Sequence, residues 1–262
     1  MLATGSLAAL LFAAVCSSGT AAVAFFVDNP SGFNSQITSS GLIFLGTENW
    51  ESSTLAPNTS TGLNDPLAPG VANAPFPTGT NTAIGLMAQS NTLGGAAITL
   101  SPRGVNALST ASVGFFGTPS DQVSANVPGD SFDLIFNLGG GNPVAAVSLS
   151  PLFFDIVNAT SSTSHPGTVF ITVYDPTNAV LGTQTLTNVD YSQSDFLGIV
   201  ATGGSDIRRV NLYAGPAASS FVAGADSINV YGVPEPSVAA LMGLCGVALA
   251  ARRRRTAANH SL

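Results

Sequence analysis

Short runs of alternating apolar and polar residues recur along the middle of the chain, between clusters of Gly, Pro, Ser, Thr and Asn. The alternation is clearest in residues 131–136 and 169–174, where every second side chain is apolar and could face a core. Turn-forming residues bound these runs, as expected for strands that are joined by turns. The pattern therefore predicts β-strands.

Eleven strands are predicted on these criteria. They are residues 42–46, 83–88, 96–100, 111–116, 131–138, 144–149, 168–175, 180–186, 196–201, 207–213 and 227–231. No stretch of residues 25–232 has sustained helical periodicity with capping residues, so we expect no helices to cover a parallel sheet. The predicted fold class is all-β, an antiparallel β-sandwich of jelly-roll-like form. Residues 49–77, dense in Ser, Thr, Asn, Pro and Gly, are predicted to be a long surface loop.

Charge sets the body of the chain apart from an ordinary soluble domain. Only 8% of the residues are charged and 45% are hydrophobic, whereas a typical domain is about 25% charged. Lys is absent, and residues 25–232 hold three arginines against thirteen carboxylates, which gives a net charge of −10. A body this acidic should be repelled by nucleic acid and by anionic lipid, so no nucleic-acid partner is expected.

Residues 25–232 contain little of the chemistry that catalysis needs. Both cysteines lie outside this part, at Cys16 and Cys245, which excludes disulfides, thiolate metal sites and cysteine nucleophiles there. Its one histidine, His165, lies in a polar loop, and no Gly-x-Ser-x-Gly motif accompanies it, so neither a catalytic triad nor a zinc or copper site is indicated. No spacing singles out the paired carboxylates of a glycoside hydrolase. We therefore expect no catalytic residue and no enzyme.

The first residues have the layout of an export signal. Residues 7–15 are apolar, small polar residues follow, and Ala22 and Ala24 flank Val23 in the small-x-small pattern that signal peptidase accepts. We predict export by the Sec machinery and cleavage after Ala24.

Three features follow one another at the other end of the chain. A Pro-Glu-Pro triplet precedes an apolar run, residues 238–251, and a block of arginines follows it. The triplet is Pro234, Glu235 and Pro236, and the block is Arg252, Arg253, Arg254 and Arg255. As a helix, residues 237–251 would be about 22 Å long, and flanking residues and local thinning could fit it to a bilayer core of about 30 Å. Because four guanidinium groups cross hydrocarbon only at prohibitive cost, the arginines should stop transfer, and a single C-terminal transmembrane helix is predicted.

This tail resembles the PEP-CTERM sorting signal, which combines a Pro-Glu-Pro motif, an apolar helix and a basic cluster. The resemblance covers residues 233–262. It implies processing by an exosortase, a membrane transpeptidase-like enzyme of Gram-negative-type bacteria that make exopolysaccharide. The protein would first be held in the inner membrane and would then reach the cell surface or the extracellular matrix. A plain C-terminal membrane anchor, with the same topology and no processing, is the alternative.

The closing strands carry a second resemblance. They are similar to the last strands of PEP-CTERM bodies and of jelly-roll carbohydrate-binding modules, in residues 196–199, 207–212 and 224–230. In those modules an acidic pair in the last strand lies near a structural calcium, helped by a Glu from an early strand. The resemblance implies Glu48 and Asp226 as Ca²⁺ ligands here, with Ser227 in the place of the second acid. The alternative is that both are solvated turn carboxylates, since Ca²⁺ takes 6–8 oxygen ligands.

Together these features divide the chain into a signal peptide (1–24), a β-sandwich domain (25–232) and a sorting signal (233–262). The predicted function is that of an exported structural protein of the cell surface or extracellular matrix. Its expected partners are the Sec machinery, an exosortase, the membrane and extracellular polysaccharide. The alternative is a carbohydrate-binding jelly-roll module with a structural calcium, in which Trp50, Tyr191 and Tyr213 stack on sugars instead of filling the core. A secreted hydrolase is a more distant third hypothesis.

Overall fold

The computed structural model describes residues 22–54, 60–63, 66–72, 76–91, 108–111, 121–125, 129–136, 143–155, 166–190, 195–215 and 221–234. Within these ranges the chain forms thirteen strands and one helix. They are β1 (Ala22–Val27), α1 (Pro30–Ser39), β2 (Ile43–Glu48), β3 (Ser60–Leu63), β4 (Met87–Asn91), β5 (Leu108–Ala111), β6 (Gln122–Ala125), β7 (Ser131–Ile135), β8 (Val144–Asp155), β9 (Gly167–Tyr174), β10 (Val180–Val189), β11 (Leu197–Thr202), β12 (Arg209–Tyr213) and β13 (Phe221–Gly232). The all-β prediction is confirmed for these residues, with one helix added.

The strands form two sheets, and the strands of each sheet pair antiparallel. The larger sheet has eight strands in the order β1-β11-β8-β13-β6-β5-β3, with β2 also paired to β13. The smaller has five, in the order β10-β9-β12-β7-β4. β13 pairs with β8 along one edge, and its other edge is shared by β6 and β2. The last strand of the body therefore lies in the middle of the larger sheet and is secured on both sides.

Alternate residues of both sheets meet in a single hydrophobic cluster. The smaller sheet contributes buried residues from β7, β9 and β12, and the larger contributes residues from β8 and β13. Examples are Leu134, Ile171, Leu212, Leu149 and Val230, each no more than 1% exposed. This is the burial that the period-two pattern of the sequence requires.

Helix α1 is the element that the sequence pattern did not predict. The Asn29 side chain accepts a hydrogen bond from the Gly32 amide at 2.9 Å, and Pro30 occupies the first turn, where its missing N–H costs nothing. Phe33 and Ile37, four residues apart, are the buried residues of α1 and join a second cluster with Ala146 and Val200 of the larger sheet. The expectation of no helix was wrong because only these two positions carry the apolar face.

Residues 49–77 also differ from the prediction. In the described parts of this segment, Leu63, Leu67 and Phe76 are buried in the main cluster. Leu67 additionally exchanges backbone hydrogen bonds with Ala88 at 2.8 and 2.9 Å. These residues belong to the core and do not form the loose surface loop expected from composition.

Most of the predicted strands are present, but several of their boundaries differ from the prediction; β8 and β13, for example, are both longer than predicted. Ten of the eleven predictions overlap an observed strand, and residues 96–100 lie outside the described ranges. The sequence pattern missed β1, β3 and β6. Residues 83–85 form a turn closed by a hydrogen bond from the Gly85 amide to the Thr82 carbonyl, so the strand there starts at Met87.

Candidate functional site

The carboxylate of Glu48, at the end of β2, is hydrogen-bonded to two loops, one after β2 and one before β4. Its oxygens accept hydrogen bonds from the backbone amides of Trp50 at 3.0 Å and Asn81 at 2.8 Å. The Asn81 side chain in turn donates to the Thr47 carbonyl at 2.8 Å. Burial raises the pKa of Glu48 above its ordinary value, although the amides of Trp50, Asn81 and Asn49 act in the opposite direction.

A polar cleft lies beside this carboxylate. It has a volume of about 320 Å³ and is lined by residues 47–49, Ser52 and residues 78–82. Thr, Ser and Asn predominate in this lining, with Glu48 as the one ionisable group among these residues. Such a cleft offers hydroxyl and amide groups to a small polar ligand.

Glu48 and Asp226 are brought to the same part of the larger sheet. In the pairing of β2 with β13, Glu48 lies opposite Ile228, two residues beyond Asp226. Asp226 is fully buried at an irregularity of β13, where Ser227 has a φ of 52° and donates a hydrogen bond to the Asp226 carboxylate at 3.3 Å. In the described part of the chain, no group of three or more His, Cys, Asp or Glu side chains could hold a metal ion. The calcium site stays a prediction.

Trp50 is a core residue and does not offer a stacking surface. Its side chain is 0% exposed and its indole nitrogen donates to the Ala225 carbonyl at 2.9 Å. The ring packs edge-on against Phe76, with centroids 6.2 Å apart. Tyr213 is half-buried beside Phe170. Of the two roles considered for these aromatic residues, Trp50 has the structural one.

The outer face of the five-stranded sheet carries a polar cluster that the sequence did not reveal. Gln89, Asp133 and Asn211 lie side by side on neighbouring strands β4, β7 and β12, and cross-strand partners share a face of the sheet. Arg209, one pair further along β12, contacts Asp133 through Nη1 at 3.0 Å. Its guanidinium carbon also lies 3.6 Å from the ring centroid of Tyr174, its cross-strand partner on β9.

All five of these side chains are buried. Arg209 is 2% exposed, and Asp133 and Asn211 are not exposed at all. Asn211 donates a hydrogen bond from Nδ2 to the same Asp133 oxygen that Arg209 contacts. Alternation along a strand predicts which residues share a face, but it does not tell whether the second face meets solvent, so this burial had no signal in the sequence.

The predicted processing residues lie at the edges of the described ranges or beyond them. Ala22 and Ala24 are part of β1, where they pair with Thr202 and Val200 of β11. Pro234 follows β13 and is exposed. The remaining residues of the sorting signal lie outside the described residues, namely Glu235, Pro236, Arg252, Arg253, Arg254 and Arg255. Tyr191, considered for sugar stacking, and His165 also lie outside them. Among the described residues no helix has the length and apolarity to span a bilayer.

Comparison with known proteins adds little to this picture. No protein-family model and no curated protein matches the chain. A solved structure, described as the crystal structure of the Agl-KA catalytic domain, is similar over 71% of this chain with 11% identity and a TM-score of 0.27. The match spans 30% of that chain.

Proposed function

We propose that this is an exported structural protein of the cell surface or extracellular matrix, sorted and processed by an exosortase through its C-terminal tail. The observation that carries the proposal is the order of parts in residues 233–262, a Pro-Glu-Pro triplet, an apolar run and four arginines. A protein that serves as the substrate of this processing needs no catalytic residues of its own.

The way the body ends is compatible with processing at the triplet. β13 ends at Gly232 in the middle of the larger sheet, and both Val233, 53% exposed, and Pro234 face solvent. The triplet thus begins two residues after Gly232, the last paired residue. Proline on either side of Glu235 favours an extended backbone, which suits binding in a protease cleft.

The proposal includes a finer description of the fold. The two sheets would pack face to face as a jelly-roll-like antiparallel sandwich, followed by a transmembrane helix in residues 238–251. The single hydrophobic cluster drawn from both sheets supports the sandwich. The length and apolarity of residues 238–251, with arginines after them, support the helix.

Mass mapping of the mature protein in its native host tests the proposal. We expect the N-terminal leader to be missing and the new C-terminus to lie within residues 234–237. Replacing Glu235 by Ala should leave the tail in place and the protein in the membrane fraction. Pro166→Ala, at an exposed proline outside the tail, is the matched control and should be processed normally. Full-length protein in the cytosol with both ends intact would refute the proposal.

A carbohydrate-binding role is the second candidate, and the polar cleft beside Glu48 favours it. The cleft presents hydroxyl, amide and carboxylate groups of the kind that bind sugar hydroxyls. Retention of the full-length protein on immobilised polysaccharides, with and without EDTA, tests this role and its dependence on calcium. No retention on any glycan would remove it.

A further inference from the structure

The first strand of the body enters the larger sheet at the same end at which the last strand leaves it. β1 begins at Ala22, which pairs with Thr202 of β11. β13 finishes at Gly232, which pairs with Val144 of β8 and with Ile43 of β2. Between them β11 pairs antiparallel with β8, so Thr202 and Val144 lie at the same level. The segments that precede Ala22 and follow Gly232 are therefore attached to one end of the sheet, which we call the terminal end.

Exposed apolar side chains lie at the terminal end, next to the last residue of β13. Phe44 is 57% exposed, Ile43 is 41% exposed and Val233 is also exposed. The ring of Phe44 packs edge-on against that of Tyr231, its cross-strand partner, with centroids 5.6 Å apart. Tyr231 in turn contacts Phe33 of α1, so Phe44 lies on the outer face of the larger sheet, away from the main cluster. Apolar surface exposed in this way is typical of a site that contacts another protein or a membrane.

The length of chain after β13 indicates which of these covers the surface. Val238, the first residue of the apolar run, is six residues beyond Gly232. A fully extended chain advances about 3.3–3.6 Å per residue, so Gly232 lies at most about 22 Å from the point at which a helix in residues 238–251 would enter the hydrocarbon core. The headgroup layer fills part of this distance, because it adds about 5–8 Å on each side of the core. The terminal end is thus held close to lipid whenever the apolar run spans the membrane.

Charge also favours lipid at the terminal end. The segments that form it contain no Asp, Glu, Lys, Arg or His, and neither does α1. These segments are residues 22–27, 40–47, 143–149, 197–205 and 227–234. Asp28, Glu48 and Asp226 lie five or six residues further along their strands, which is about 16–20 Å at the usual rise per residue. This separation is about twice the Debye length of about 8 Å at physiological ionic strength, so these carboxylates repel an anionic surface only weakly there.

The charged residues closer to this end adjoin the smaller sheet. Asp175 follows β9, and Asp206 and Arg208 precede β12. With two carboxylates and one guanidinium, these three residues carry a net charge of only −1, against −10 for residues 25–232. They also lie on the side of the main cluster opposite to the outer face that bears Phe44. The acidity of the body as a whole therefore does not keep this end away from a bilayer.

We propose that the terminal end of the larger sheet rests on the phospholipid surface that holds the C-terminal tail, with Phe44, Ile43 and Val233 in the headgroup layer. The proposal rests on the transmembrane helix put forward above for residues 238–251. Apolar residues at such contacts are buried about 5–10 Å into the boundary between headgroups and acyl chains. The contact holds the Pro-Glu-Pro triplet at the membrane surface, within reach of a membrane enzyme such as an exosortase.

Full-length protein reconstituted into liposomes tests this contact. Phe44→Trp and Val233→Trp report on the terminal end, and Val27→Trp, at the opposite end of β1 and 40% exposed, is the matched control. Trp50 is buried in every variant, so the wild type gives its signal as background. We expect lipids brominated near the headgroup end of the acyl chains to quench the added tryptophan of Phe44→Trp and Val233→Trp, and lipids brominated deep in the chains to quench it less. Val27→Trp should keep its fluorescence.

Flotation of the same liposomes separates the contact from the anchor. If the protein does not float with them, the transmembrane helix and the contact both fail. If it floats, but Phe44→Trp and Val233→Trp are quenched no more than Val27→Trp, the contact alone is overturned and the anchor stands. Blue-shifted fluorescence at Phe44→Trp without quenching, together with a cross-linked dimer, would instead assign the surface to a second copy of the chain. If Phe44→Trp misfolds, Val233→Trp, which lies beyond β13, still decides the outcome.

Discussion

Phe33 of α1 packs directly over Gly198 of β11. A Cβ atom placed on Gly198 would lie 2.8 Å from Phe33 Cγ, closer than carbon atoms approach in folded proteins. The missing side chain at Gly198 is what lets the helix lie on the outer face of the larger sheet. Phe33 also makes edge-on contacts with Phe26, Phe196 and Tyr231, so displacing it would loosen the whole second cluster.

Gly198→Ala should therefore destabilise the protein by about 1–3 kcal/mol, the usual cost of overfilling a packed site. Chemical denaturation followed by circular dichroism measures the change. Gly204→Asn is the control, because Gly204 has open space around it and a φ of 78° that Asn tolerates. If Gly198→Ala lowered the free energy of unfolding no more than Gly204→Asn does, Phe33 would have moved aside and its close packing on Gly198 would not be essential.

An element of this fold could be predicted from the sequence where its buried face gives a regular pattern of apolar residues. Strands such as β7 and β9 bury one face in the main cluster, so alternation identified them. Residues 60–63 of β3 read Ser-Thr-Gly-Leu, with the buried Leu63 as the one large apolar residue, so composition indicated a loop. For α1, the Asn29 cap and Pro30 in the first turn are signals that could have marked the start of the helix, but the pattern of apolar residues did not reveal it.

The buried cluster around Arg209 could not have been predicted in the same way. Polar residues alternating with Val210 and Leu212 are typical of a strand with one solvated face. The neighbours of Arg209 and Asn211 across the sheet, Tyr174 and Asp133, are distant from them in sequence. Pairing between Asp133 and Arg209, 76 residues apart, follows from the topology of the five-stranded sheet.

Trp50 provides a direct probe of the core, since it is the only tryptophan in the chain. Its burial predicts blue-shifted fluorescence that moves to the red on unfolding. Trp50→Ala should cost about 3–5 kcal/mol. Trp50→Phe keeps most of the ring but leaves the Ala225 carbonyl without the indole donor, and should cost about 1–3 kcal/mol. Exposed-type fluorescence in the native protein would contradict this placement.

Two aspartates should affect stability with opposite dependence on pH. Burial raises the pKa of Asp206, against a backbone hydrogen bond and the charge of Arg208. The contribution of Asp206 to stability is therefore complete below its unfolded pKa of about 3.8 and is lost as pH rises through the folded value. Hence the stability of the wild type relative to Asp206→Asn should fall as pH rises from 3 to 7. Melting temperatures across this range measure it.

Asp175 should show the reverse behaviour. Burial acts to raise its pKa, but hydrogen bonds from the Thr177 side chain and the Ala179 and Thr177 amides outweigh it, so the pKa is lowered. Its contribution is present above the unfolded pKa and is lost as pH falls through the folded value. The stability of the wild type relative to Asp175→Asn should therefore increase as pH rises. If the melting-temperature difference from the wild type changed with pH in the same direction for Asp206→Asn and Asp175→Asn, the opposite pKa shifts of the two aspartates would be contradicted.

Calcium binding at Glu48 and Asp226 has a simple test. If both carboxylates are ligands, millimolar Ca²⁺ should raise the melting temperature, EDTA should reverse the rise, and Glu48→Gln should abolish it. Asp175→Asn, at an exposed turn away from both residues, should respond to Ca²⁺ like the wild type. A wild type that is indifferent to Ca²⁺ would assign Glu48 the purely structural role indicated by its hydrogen bonds to Trp50 and Asn81.

We expect the first three residues of β1 to contribute to the stability of the body. Ala22, Val23 and Ala24 pair with β11, the Ala22 carbonyl accepts a hydrogen bond from Thr202 at 3.1 Å, and Val23 packs over Gly182 on the main cluster. A fragment of residues 25–232 lacks these contacts, so it should be less stable than a fragment of residues 22–232 by at least about 1 kcal/mol. For a body of this size that corresponds to a melting temperature about 2–4 °C lower. Equal melting temperatures would show that β1 is not needed upstream of Phe25 and that cleavage after Ala24 leaves the sheet intact.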